Sequence, residues 1–257
     1  MATDTFRLQY LTKTAAGVPR DLVNTFIASK FHAIRPTVLI YNCTWVCDAR
    51  CTMCSNWKWG DRKSDMTLEQ LEPVMNSPFW GAVENLNISG GEPTTRNDLP
   101  EMVELFQRHL PRLRKIGINT TSLTPQRAIP MLTRIVEFCA AKGILISIRV
   151  SLDGIGDVHN QVRSVKNGFD KAQKTIDAMQ ALAATHDNFS FGIASTISGR
   201  SFRVVGSPPE MFKFSTAPQN GVSSTGSSCA SVMSDLRSPH FQLLHIVQRA
   251  SQTQVQL

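Results

Sequence analysis

Three observations predict an α/β fold: a parallel sheet with right-handed crossovers, curled or closed into a barrel. Between residues 36 and 197, short β-branched runs alternate with amphipathic helical stretches. The least ordinary motifs all fall just after the strand runs, where α/β folds collect their functional groups. The alternation then stops near residue 198, after five convincing strands.

In chain order, residues 37–42 (TVLIYN) read as the first strand, and a cysteine-rich loop comes after it. Thr67 and Gln70 form a capping box, with Leu68, Leu71 and Met75 recurring at helical spacing behind it. Residues 84–89 (ENLNIS) are the second strand. Asp98 is expected to cap a helix whose apolar face is Leu99, Met102, Val103, Phe106 and Leu110. Residues 115–120 (KIGINT) are the third strand. A helix from Pro125 comes next, with Met131, Leu132, Ile135 and Cys139 directed inward and Gly143 as its stop. Residues 144–151 (ILISIRVS) are the fourth strand. Ala172, Ile176, Met179 and Ala183 line the next helix, and residues 189–197 (FSFGIASTI) are the fifth strand.

The expected division is an N-terminal segment at 1–35, a core domain at 36–198 and a serine-rich tail at 199–257. The last 60 residues hold 12 serines and two acids, Glu210 and Asp235, with no helical or strand period, which argues for poor order. Residues 201–206 (SFRVVG) make a weak sixth strand, lacking an amphipathic helix before them. Leu243, Leu244, Ile246 and Val247 fit one short helix, and no internal repeat is found.

At 257 residues and 42% hydrophobic content the chain can bury a core of ordinary size. No apolar run approaches the roughly 18 residues a membrane span requires. The opening lacks a basic patch followed by an apolar stretch, so a soluble, cytoplasmic protein is expected. The net charge of +7 is scattered without an aromatic-basic repeat, which argues for solvated surface charge and against a nucleic-acid partner.

Thiols stay reduced in such a compartment, so clustered cysteines read as metal ligands sooner than as disulfides. Two registers compete within residues 43–54: Cys43/Cys47/Cys51 with equal spacers, and Cys47/Cys51/Cys54 with spacers of three and two. A loop wrapping one face of a cubane iron–sulfur cluster must aim three thiolates from one side, which the compact unequal spacing does. Cys43 then reads as a small buried hydrophobe at the strand end, and Cys139 as a core residue. Cys229 stands in the tail without a partner motif.

The triplet Cys47-x3-Cys51-x2-Cys54 at the end of the first strand resembles the signature of the radical S-adenosylmethionine (radical SAM) superfamily. Gly90-Gly91-Glu92-Pro93 resembles its second hallmark, and residues 151–179 are similar to the branch that often carries a SPASM or twitch extension. The likeness covers residues 36–197, and since the family's usual barrel has six strand-helix units, it implies a partial parallel (β/α) barrel of the radical SAM type, incomplete at its C-terminal side. A SPASM extension would carry further clustered cysteines, and Cys229 alone is not that. The resemblance implies a 4Fe-4S cluster on Cys47, Cys51 and Cys54, with S-adenosylmethionine on the iron left without a protein ligand. Reductive cleavage would give a 5′-deoxyadenosyl radical that takes hydrogen from a peptide or protein side chain or a small metabolite, with a reductant such as flavodoxin or ferredoxin.

By the same resemblance, Met53 lies beside the adenine, and Gly90 and Gly91 border the methionyl amino group, from which Glu92 accepts a hydrogen bond. Ser151 and Arg163 face the cofactor's carboxylate and ribose; an arginine fork suits a carboxylate. A surface arginine at a helix start is the plainer reading of Arg163, and Asp153 and His159 read as loop-shaping residues. Thr120-Thr121-Ser122 replaces the family's usual turn near the ribose. Ser195 and Thr196 either approach the adenosine or pack in the strand, and Trp57 and Trp59 either shield the cluster or simply pack. Two alternatives stay open: a truncated, non-catalytic cluster-binding remnant, and a zinc-stabilised module with Cys43 as fourth ligand.

Overall fold

A computed structural model describes residues 3–27, 30 and 35–196. The weak sixth strand, the terminal helix, Cys229 and the serine-rich tail lie outside the described residues.

Five strands form one parallel sheet in the order β1-β2-β3-β4-β5: Val38–Thr44, Asn85–Gly90, Lys115–Thr120, Leu145–Ser151 and Phe189–Ala194. Each crossover advances one place in the same direction, so right-handed connections lay the main crossover helices on one face and the sheet curls around the other. Among the described residues β1 and β5 each pair with one neighbour only, and the barrel is open between them. None of the described helices is long and apolar enough to cross a membrane.

The helices are α1 (Thr3–Phe26), α2 (Leu68–Met75), α3 (Leu99–His109), α4 (Pro125–Ala141), α5 (Asp157–Arg163) and α6 (Gly168–Ala183). Helix α2 begins as expected: the Gln70 N–H donates to Thr67 Oγ1 and the Thr67 N–H to Gln70 Oε1, satisfying two end donors. Asp98 occupies the cap position of α3 but makes no side-chain cap. Its carboxylate instead takes Arg96, at 2.9 Å from Nε and 2.6 Å from Nη2. A bidentate guanidinium outcompetes a backbone amide for the same oxygens. Gly143, at φ +66, supplies the left-handed turn that ends α4.

Strand residues alternate between the sheet's two faces. Leu86, Ile88, Ile116, Ile118, Ile146 and Ile148 pack with Phe106, Leu132, Ile135 and Met179 in one core under the helices. Phe106 is fully buried and meets Tyr41 edge-on at 5.2 Å; such a burial contributes about 2–3 kcal/mol. Asn87, Ser89, Gly117, Asn119, Ser147 and Arg149 occupy the intervening positions, so at these positions the concave face is polar or small where the convex face is aliphatic. Val38, Ile40 and Leu145 are the concave face's larger apolar members. Cys43 and Cys139 both belong to the aliphatic core.

The register of β1 against β2 slips between Asn42 and Thr44. Such a bulge bends the strand and re-aims the segment beyond it. That segment is the cysteine loop, and the Thr44 hydroxyl steadies the turn by donating to Asp65 at 2.6 Å and accepting from the Val46 N–H at 3.0 Å.

Candidate functional site

The cysteine loop runs over the C-terminal ends of the strands and is tied down from both sides. On one side the Gly91 N–H donates to Thr44 O at 2.7 Å and the Glu92 N–H to Val46 O at 2.8 Å, continuing the β1/β2 pairing past the strand. On the other, the Arg50 N–H donates to Arg163 O at 3.1 Å and the Thr52 N–H to Val162 O at 2.9 Å, so the end of α5 brackets Cys51.

Cys47, Cys51 and Cys54 share one small cluster with Ala49, Met53, Leu123 and Val165, separate from the core that holds Cys43. Two of the three sulfurs have a donor within hydrogen-bond distance: Cys51 receives Arg163 Nη1 at 3.5 Å, and Cys54 receives the Asn56 N–H at 3.5 Å. Burial pushes the Cys47 thiol up to about 12, with the Ala49 amide opposing. Cys51 is also raised by burial, and the neighbouring Arg163 charge is the largest opposing influence. Donors aimed at sulfur favour the thiolate form that metal binding requires, so this set fits an iron–sulfur cluster on chemical grounds. Among the described residues no three His, Cys, Asp or Glu side chains close on a single metal ion.

Gly90 and Gly91 are explained by the loop itself. Gly90 has φ +131, and a Cβ there would collide with the carbonyl oxygen of Thr44. A Cβ on Gly91 would collide with the carbonyl oxygen of Val46. The two glycines let the second strand's end lie against the backbone leading to the first cysteine.

Glu92 is fully buried, and its carboxylate accepts five hydrogen bonds. Oε1 takes the Thr94 N–H at 3.0 Å and the Thr94 and Thr120 hydroxyls at 2.7 Å each. Oε2 takes the Thr121 N–H at 2.5 Å and the Thr121 hydroxyl at 2.7 Å. That exhausts the roughly four lone-pair sites of a carboxylate. The methionyl amino group assigned to Glu92 by resemblance therefore meets an acceptor already engaged by the chain, and Thr120 and Thr121 are its partners.

Asp48, between the first two cysteines, was not singled out by sequence reasoning. Its carboxylate accepts from the Thr124 hydroxyl at 3.3 Å and lies 3.1 Å from the Thr121 hydroxyl, competing with the nearer Glu92 Oε2 for that group's single proton. Burial, and then the charge of Glu92, push it above the usual carboxylate range. An acid trapped inside the Cys-x3-Cys spacer was the available signal.

Arg163 is not at a helix start and not on the surface: it ends α5 and is 7% exposed. Its Nε donates to Asp153 Oδ2 at 2.5 Å, within an ion pair shielded from solvent. Asp153 accepts the Thr196 N–H at 2.8 Å on its other oxygen, and the Ser195 hydroxyl donates to Leu152 O at 2.5 Å. Ser195 and Thr196 thus tie β5 to the turn after β4, while Ser151 closes β4 in register with Ala194. Trp57 donates through Nε1 to Cys54 O at 3.0 Å and carries Arg50 over its ring at 5.7 Å, whereas Trp59 is 68% exposed and shields nothing.

His159 is buried beside this group, its Nδ1 accepting the Asp153 N–H at 3.2 Å, so Nε2 carries the proton. Burial, followed by the Arg163 charge, pulls its pKa down to about 4 from 6.5. Between those values the unfolded chain binds a proton that the folded chain refuses, so stability present at pH 7 is lost as pH falls through 6.5 toward 4. The expected loss is about 3 kcal/mol at most. Urea midpoints of the metal-free protein at pH 7 and pH 4.5 should converge in His159→Leu; an unchanged difference counts against the assignment.

A family model for the radical SAM superfamily matches residues 41–192. The chain belongs to that superfamily. It is 25% identical over 156 residues to the mycofactocin maturase MftC of Mycolicibacterium smegmatis, covering 60% of this chain and 37% of that protein. It is 30% identical over 146 residues to the GTP 3′,8-cyclase of Rhizobium etli, covering 56% and 40% respectively. This radical SAM chain therefore spans about two fifths of the length of these curated relatives. Among solved structures, native anSMEcpe with bound AdoMet and Cp18Cys peptide superposes with a TM-score of 0.52 at 19% identity, over 69% of this chain and 47% of that one. At that identity the likeness establishes the fold, a partial (β/α) barrel.

Proposed function

We propose that this chain carries the core of a radical SAM enzyme, at residues 36–198, in which Cys47, Cys51 and Cys54 hold three irons of a 4Fe-4S cluster. S-adenosylmethionine would bind at the fourth iron, across the strand ends. When bound, the cluster and the nucleoside supply an electron-driven carbon–sulfur cleavage and a hydrogen abstraction. The observation that carries this reading is that three cysteines from one loop, two of them with a donor on sulfur, share one cluster at the C-terminal ends of a parallel sheet.

The chain's own residues bind, orient and exclude water. Met53 packs among the cysteines, where it would cover the adenine. Gly90 and Gly91 hold the loop close to β2, which leaves their backbone as the wall nearest the methionyl group. Glu92 fixes that wall to the turn after β3 through its threonine donors. Ser151 stands at the end of β4 for the ribose or carboxylate. Substrate would rest on the polar concave face, where Asn87, Asn119 and Arg149 offer amide and guanidinium groups.

A peptide or protein side chain is the favoured substrate, since a structural neighbour holds a peptide beside AdoMet. A small metabolite is the second choice, in keeping with the GTP cyclase relatives. A flavodoxin or ferredoxin would deliver the electron, in the cytoplasm. The zinc alternative weakens because Cys43, its fourth ligand, lies in the aliphatic core away from the other three. The non-catalytic remnant draws on the opening between β1 and β5, through which water would reach the site.

Anaerobic reconstitution, dithionite and S-adenosylmethionine should yield 5′-deoxyadenosine by mass spectrometry, and Cys51→Ala should abolish it. A cubane without product favours the remnant. A colourless protein that binds zinc overturns both.

A further inference from the structure

Two of the donors of Arg163 are spent on the protein, and the recipient of one of them is a cluster ligand. Nε is committed to Asp153 Oδ2 at 2.5 Å, and Nη1 donates to Cys51 Sγ at 3.5 Å. The backbone around it is equally committed, since the carbonyls of Val162 and Arg163 receive the amides on either side of Cys51. Asp153 is itself held by the Thr196 N–H at 2.8 Å, so the acid is a fixed anchor and the guanidinium cannot swing freely. Both side chains are shielded from solvent, 8% exposed for Arg163 and 0% for Asp153, so water does little to screen the charge.

We propose that Arg163, anchored by Asp153, is a positioning residue that sets the reduction potential of the cluster through its hydrogen bond to Cys51. The inference rests on the reading that Cys47, Cys51 and Cys54 carry a 4Fe-4S cluster. Reduction adds one negative charge to a cluster already rich in thiolate and sulfide. A cationic donor on one thiolate stabilises the reduced form more than the oxidised one and raises the potential. Asp153 acts in the opposite direction by partly cancelling that charge. The pair therefore fixes the potential between two limits, and removing either member moves it in a different direction.

This sign opposition separates an electrostatic role from a merely structural one. In Arg163→Gln the sulfur loses its cationic donor, and the reduced-to-oxidised ratio at a fixed potential should fall about tenfold, a shift of about 59 mV downward for a one-electron couple. In Asp153→Asn the amide oxygen can still accept from Nε only with its NH2 turned toward the Thr196 N–H, so that tether is lost while the guanidinium is left uncompensated and the potential should rise. Arg163→Gln leaves a buried acid without its partner, which threatens folding. Asp153→Asn carries the test if that variant does not load.

The experiment is a redox titration of the anaerobically reconstituted wild-type protein and both variants, followed by the electron paramagnetic resonance of the reduced cluster, with no substrate present. Shifts of opposite sign support the inference. Equal potentials in all three, or shifts of one sign in both variants, overturn it while leaving the cluster reading intact. Weakened S-adenosylmethionine binding in Arg163→Gln at an unchanged potential also overturns it and returns Arg163 to the cofactor's carboxylate. A wild-type protein that forms no cubane overturns the inference and the underlying reading together.

Discussion

Glu92→Gln should destabilise the protein by about 3 kcal/mol, despite matching the glutamate atom for atom in size. The reason lies in the two backbone donors that face opposite oxygens: the Thr94 N–H on Oε1 and the Thr121 N–H on Oε2. Threonine hydroxyls can rotate and become acceptors, but backbone N–H groups cannot. Whichever way the new amide is turned, its NH2 meets one of them head-on inside a fully buried site. A charge-assisted network becomes one with an orphaned donor, and the turns after β2 and β3 lose their common fastening. Chemical denaturation of the metal-free protein measures the cost, and iron content after reconstitution measures the effect on the loop. A variant as stable as wild type would mean that the carboxylate is not the acceptor of these donors.

Gly91→Ala should be strongly damaging, although it adds a single methyl group. Its Cβ would lie against the carbonyl of Val46, a backbone atom with nowhere to go. The two segments are pinned on either side, by Gly91 N–H to Thr44 O at 2.7 Å and Glu92 N–H to Val46 O at 2.8 Å, so relief means breaking those bonds. Overpacking of this kind costs about 3 kcal/mol, and the first cysteine would move with Val46. The expected result is a lowered denaturation midpoint and the loss of cluster loading. Gly81→Ala is the control, because an added Cβ there meets nothing within 4 Å. Normal loading in Gly91→Ala would show that the loop is free to settle elsewhere.

The parts of this molecule that were readable in the sequence are those fixed by neighbours along the chain. The strand runs at 115–120 and 144–151 announce themselves by alternation and appear as Lys115–Thr120 and Leu145–Ser151. The Thr67/Gln70 box is a local pattern and formed as such. The cysteine spacing is equally local, and it separated Cys43 from the other three without any coordinates.

What the sequence concealed depends on partners far away. Arg163 looks like any helix-end cation until Cys51, separated from it by 112 positions, comes to lie against it. Glu92 is one acid among many until five donors from Thr94, Thr120 and Thr121 surround it. Asp98 satisfied the local rule for a cap, and an arginine two residues earlier overrode that rule. Helix α1 escaped because Gly17 and Pro19 stand inside it, and both weigh against a helix on intrinsic preference.

The double tether of the cysteine loop also dictates a timetable. A chain emerging from the ribosome presents the three thiols long before the segment that brackets Cys51 exists, since Arg163 comes 112 positions later. At about 5–20 residues per second, that interval lasts roughly 6–22 s. During translation the sulfurs are thus accessible to iron donors and oxidants alike, and the nest closes only once the fourth strand and the helix behind it have been made.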